Sequence, residues 1–167
     1  MTTDNNTIDI TFISLANDFC KAVHEADSVT REQFIDIMLR LLPRLYVAMG
    51  DFLPQSEPDM DVIGSYVDED HYNQARSGIA ALMGEEDTFL ETFMDDMKYS
   101  DTPIAATISE SLADIYQDMY NFTVTIKESE GTVTTEAMAQ MHENFTLYWS
   151  KTLCNVMRPL NALKYLM

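Results

Sequence analysis

The sequence predicts an all-α helical bundle of about five or six helices, on three observations. Apolar residues recur at helical spacing through most of the chain, strand-type alternation of any length is absent, and only five glycines and five prolines punctuate its 167 residues. With 46% hydrophobic residues the chain can bury one continuous core. Residues 1–7 read as a disordered tail and 8–167 as a single helical domain.

The first helix is expected from about Ile8 to Ala26, with Phe12, Ala16, Phe19 and Val23 on its buried face. The second opens on a capping box, Thr30 with Gln33, flanked by Val29 and Phe34 in the positions of a hydrophobic staple. Its face runs Phe34, Ile37, Met38, Leu41, Leu45, Ala48 and Phe52. Pro43 lacks a backbone donor and crowds the preceding turn, so a kink or short break is expected near Leu42. Pro54, Pro58 and Gly64 mark residues 51–68 as a loop long enough to carry function. A third helix spans about Glu69–Met83, burying Tyr72, Ala75, Ile79 and Leu82, with Gly84 as its carboxyl-terminal cap.

Phe89, Phe93 and Met97 then allow one short helix, although Asp95 and Asp96 would sit at its negative end. The longest apolar seam follows, Ile104, Ile108, Leu112, Ile115, Met119, Phe122 and Ile126, and predicts a central helix over Thr102–Ile126. Thr102 would cap it, and Pro103 would take its first position. A last helix, from about Thr134 to Leu166, places Met138, Met141, Phe145, Trp149, Leu153, Val156, Leu160 and Leu163 on one face, bent near Pro159.

Charge narrows the functional classes. Twenty-eight acidic against ten basic residues give a net charge of −18 and a pI near 4.2. Such a surface repels nucleic-acid backbones and anionic lipid, and favours cationic partners, although solubility alone also explains it. Cys20 and Cys154 lie within helical patterns and read as buried thiols of a reducing compartment. No secretory signal or membrane-length apolar run is present, so the expected location is cytoplasmic.

Each candidate site has a plainer explanation beside it. Glu110, Asp114 and Asp118 recur one turn apart and could share a divalent cation, or simply form a solvated acidic face. Asp59 to Asp70 imitates a calcium loop at its first, third and sixth positions, but Ile63 stands where an oxygen ligand is required. His24, His71 and His142 fall on three different helices without any spacing that pairs two ligands. No activated nucleophile, Gly-rich phosphate cradle or cofactor motif occurs. Of the twelve methionines, Met38, Met119, Met138 and Met141 fall on core stripes. Tyr66, Tyr72, Tyr116, Tyr120, Tyr148 and Trp149 are core aromatics that could also line a pocket.

Tyr66-Val-Asp-Glu-Asp-His-Tyr-Asn73, Leu82-Met-Gly-Glu-Glu-Asp87, Ser111-Leu-Ala-Asp-Ile-Tyr-Gln-Asp118 and the later Trp149 resemble, in order, the blocks of a bacterial group catalogued as domain of unknown function 5063. Leu39 to Tyr46 is similar to that group's second helix. The resemblance implies an all-helical domain and brings no activity, substrate or cofactor with it.

The function expected is that of a non-enzymatic binding or regulatory module. It would dock a basic protein or peptide in a cleft rimmed by Tyr72, Asp114, Asp118 and Trp149, without a metal or cofactor. The alternative is a metal-dependent hydrolase of a small phosphorylated substrate, with Glu110, Asp114, Asp118 and His142 as ligands. A scaffold subunit would instead show a large exposed apolar patch and a stable oligomer.

Overall fold

The computed structural model describes residues 4–91 and 104–166. Helix α1 (Asn5–His24) starts within the stretch expected to be a tail, because the Asp4 carboxylate accepts a hydrogen bond from Thr7 N–H and caps it. Asn5 then ties this end to the loop after the second helix, donating to Leu53 O and accepting from Leu53 N–H. Helix α2 (Arg31–Asp51) opens with the capping box expected of Thr30 and Gln33. It runs unbroken through Pro43, so the break expected near Leu42 does not occur. Leu41, Leu42 and Leu45 are buried around that position, and their packing offsets the one backbone bond the proline removes.

Helix α3 (Glu69–Met83) matches its expected span and is capped by Asp68. Gly84 ends it at φ +60, and a Cβ there would also press on the Arg31 guanidinium at 3.0 Å. The short helix expected next is corrected over its first residues. Thr88–Glu91 forms strand β1, paired antiparallel with β2 (Ile104–Thr107) in the register Thr88 to Thr107 and Glu91 to Ile104. Phe93, Asp95, Asp96 and Met97 lie outside the described residues, as do Thr102 and Pro103.

The central helix, α4 (Ile108–Glu128), therefore begins later than expected and is capped by Thr107, whose hydroxyl accepts from Glu110 N–H. Ile104 belongs to the strand. The rest of the seam is as expected: Ile108, Leu112, Ile115, Met119 and Phe122 are fully buried, and α4 packs against α1 and α3. Helix α5 (Thr134–Asn144) passes through a π-helical turn, Phe145–Trp149, into α6 (Ser150–Tyr165). The irregularity in the last helix thus lies at Phe145–Trp149, where Ser150 N–H reaches back to Phe145 O, while Pro159 sits inside α6. α4 packs on α5 and α6 as well, and α2 covers α1 and α6. The result is an all-α bundle carrying one small hairpin.

The 17-residue span from Phe52 to Asp68 is not slack. Gln140, buried in α5, accepts from Ile63 N–H at 2.8 Å and donates to Met60 O at 2.9 Å. Gly64 N–H donates to the Thr125 hydroxyl and Tyr66 N–H to the Asn121 side chain, both on α4. Cys20 is buried as expected, but Cys154 is exposed; both are free thiols. No helix among the described residues is long and apolar enough to cross a membrane.

Candidate functional site

Asp114 and Asp118 are one turn apart on α4, and the π-turn swings Leu147, Tyr148 and Trp149 toward the same place. Between them lies a cleft of about 410 Å³, completed by Glu91 from β1 and by Lys151, Thr152 and Asn155 from α6. Asn155 donates to a Glu91 carboxylate oxygen at 3.3 Å, fastening the hairpin to this wall. The Tyr72 hydroxyl, from α3, donates to Asp114 Oδ1 at 2.6 Å. Of the four residues singled out from the sequence, Asp114, Asp118 and Trp149 line this cleft, and Tyr72 is joined to it through Asp114. Tyr148, one of the aromatics that could line a pocket, does so here, whereas Glu91, Lys151 and Asn155 complete the cleft without any signal in the sequence, because the small sheet and the π-turn set their positions.

The charges in the cleft differ in exposure, Asp118 being half-buried and Asp114 open to solvent. Burial pushes the Asp118 carboxyl up to about 6, and the neighbouring Asp114 charge adds to the effect. Burial raises Asp114 as well, while the Tyr72 hydrogen bond opposes that rise by stabilising the carboxylate. Tyr72 itself is held above its ordinary range, first by burial and then by Asp114. Trp149 is only 2% exposed, stacked near Phe12 and edge-on to Phe145, and its indole N–H has no partner among the described residues. Three carboxylates thus face one ammonium, that of Lys151, across a cleft with aromatic and aliphatic walls. Such a site suits an ammonium or guanidinium group whose stem can lie along the rings.

The other candidates separate. Glu110 is exposed, and His142 sits beside Phe52 at 5.8 Å between ring centroids, so the four ligands of the hydrolase alternative do not gather. Among the described residues, no three His, Cys, Asp or Glu side chains cluster as an ion site. In the calcium-like loop Asp59 accepts from Asp61 N–H and Asp68 from His71 N–H, which are turn and cap roles. His24 and His71, by contrast, meet at the Tyr116 hydroxyl, at 2.5 and 2.7 Å. Nothing in the spacing of residues 24, 71 and 116 announces this, since each comes from a different helix.

Fold and cleft together define a small acidic helical bundle with a concave, negatively charged site. The family described as "Domain of unknown function (DUF5063)" matches residues 3–166, and the chain belongs to it. The chain is also similar to the crystal structure of protein BF1032 from Bacteroides fragilis, at 30% identity and a TM-score of 0.78, covering 93% of this chain and 91% of that one. No curated protein matches it.

Proposed function

We propose that this protein is a non-enzymatic binding module that holds a basic side chain, offered by a protein or peptide, in the cleft between α4 and α6. The supporting observation is Asp118. Its carboxylate is half-buried, with a second carboxylate one turn away, and a cation is the ligand that relieves both the desolvation and the repulsion. Among the described residues neither Asp114 nor Asp118 is bridged to a lysine or arginine, although Asp36 on α2 is bridged to both Arg40 and Lys164. The overall charge of −18 would steer a basic partner toward this surface and slow an acidic one. Free thiols at Cys20 and Cys154 fit a reducing, cytoplasmic setting.

Isothermal titration with a lysine-rich peptide, and with a glutamate-rich one of equal length, tests this directly. The basic peptide should bind with one site. Asp114→Asn and Asp118→Asn should each weaken it by about tenfold, which corresponds to about 1.4 kcal/mol. Equal heats from both peptides, or unchanged affinity in both variants, would remove the cleft from consideration.

A further inference from the structure

The meeting of His24, His71 and Tyr116 lies outside the acidic cleft and asks for its own explanation. His24 is the last residue of α1, His71 lies in the first turn of α3, and Tyr116 is fully buried in α4. Both Nε2 atoms address one oxygen, the Tyr116 hydroxyl. That hydroxyl has one proton to give, so it can donate to only one imidazole and must accept from the other. The two rings lie nearly parallel, with 22° between their planes, and the Tyr120 ring stands edge-on to both, at 5.9 and 4.7 Å between centroids. Helix packing has therefore aimed two imidazole Nε2 atoms at one point, one of them carrying its lone pair and the other its proton. They open on a separate cavity of about 390 Å³, with Asp27 and Gln74 on its lining.

We infer that His24, His71 and Tyr116 form a site for a divalent first-row transition-metal ion, of which Zn²⁺ and Cu²⁺ fit the donors best. Two converging imidazoles and a phenol are borderline donors, which suit these ions and not Ca²⁺ or Mg²⁺. On binding, both imidazoles are neutral with the proton on Nδ1, so the ring whose Nε2–H had donated to Tyr116 loses that proton to solvent and takes one up at Nδ1. If the phenol enters the shell, its proton leaves to solvent and its oxygen lone pair forms the bond. The rings must draw in toward each other, which His24 on its exposed edge and the open cavity permit. Water would complete the shell.

The metal-free protein, titrated with Zn²⁺ and separately with Cu²⁺, tests the assignment. One equivalent should bind, and the ¹⁵N resonances of His24 and His71 should move while those of His142 stay. His24→Gln and His71→Gln should each weaken binding by about 10–100-fold or more, the scale on which lost coordination is felt. With Cu²⁺, a phenolate-to-metal absorption should appear in the wild type and vanish in Tyr116→Phe. The nitrogen resonances need no variant, so they decide the matter even if a substitution unfolds the chain. Unmoved His24 and His71 resonances, or wild-type affinity retained in both glutamine variants, would place the ion on surface carboxylates and overturn the assignment.

Discussion

Asp118 carries an unfavourable charge, and the sign of its effect on stability follows from the direction of its shift. Its carboxyl titrates at about 6 in the folded chain against 3.8 for the unperturbed group, so the folded state holds its proton more tightly. Stability is therefore lost as pH rises from about 4 to about 6, and at neutral pH the ionised group costs about 1–3 kcal/mol. Asp118→Asn should recover that amount at pH 7, a rise of a few degrees in Tm, and the gain should fade below about pH 4. Urea unfolding at both pH values checks it; a variant less stable at pH 7 would mean that the carboxylate has a partner worth more than its desolvation. His24 works in the opposite direction. Its lowered pKa means that the unfolded chain binds the proton better, so its contribution is lost as pH falls through about 6.5. A fit of stability against pH should need both groups. At this scale the sequence was partly legible: periodicity puts Asp114 and Asp118 on one face of α4 and Trp149 on the apolar face of the last helix, but does not set those faces against each other. The histidine pair could not be foreseen, because three helix packings must be known before residues 24, 71 and 116 can be seen to meet.

Among the elements, caps were readable where the capping residue stood beside an apolar run. Thr30 with Gln33 opens α2 as expected. Thr102 with Pro103 offered as good a local start for α4, yet the helix begins at Ile108, because Asp87 sits against that end. Asp87 is 8% exposed, and its two carboxylate oxygens accept from Ser109 N–H at 2.8 Å and Ser109 Oγ at 2.6 Å. This long-range cap adds to Thr107 and favours the start at Ile108. Asp87→Ala should cost about 2–4 kcal/mol, since it strands a buried hydroxyl and a helix-terminal donor. Thermal unfolding would show it, and a loss below half a kilocalorie per mole would mean that water takes over both bonds. The π-turn had a signal that went unused. Met141, Phe145, Trp149 and Leu153 follow one another by steps of four, and in a regular α-helix three such steps rotate the apolar face by roughly 120°. Phe145, Trp149 and Leu153 are nevertheless all buried, because one wide turn absorbs the drift. The hairpin gave no comparable signal, since four-residue strands are too short for alternation to register.

At the scale of the molecule, the central helix organises both sites. One part of α4 presents Asp114 and Asp118 to the cleft beside α6, and Tyr116 of the same helix meets α1 and α3. The long loop is held to the bundle by Gln140, Thr125 and Asn121 rather than left free. Gln140→Ala should therefore speed amide exchange at Ile63 by at least about tenfold, matching the roughly 1–3 kcal/mol of a lost buried bond. If exchange at Ile63 is unchanged, that pin is not what orders the loop. Binding of a basic partner should weaken steadily with salt, because the attraction of an acidic surface is screened over about 10 Å at 0.1 M ionic strength.

Trp149 is the single tryptophan of the chain and lies in the wall of the acidic cleft, so all indole emission comes from one ring beside that site. A lysine-rich peptide added at low salt should change the emission of Trp149 in a saturable way, and the change should be weakened in Asp118→Asn and by added salt. Emission that stays constant while the peptide binds, or that responds equally to a glutamate-rich peptide, would contradict cation recognition at this cleft.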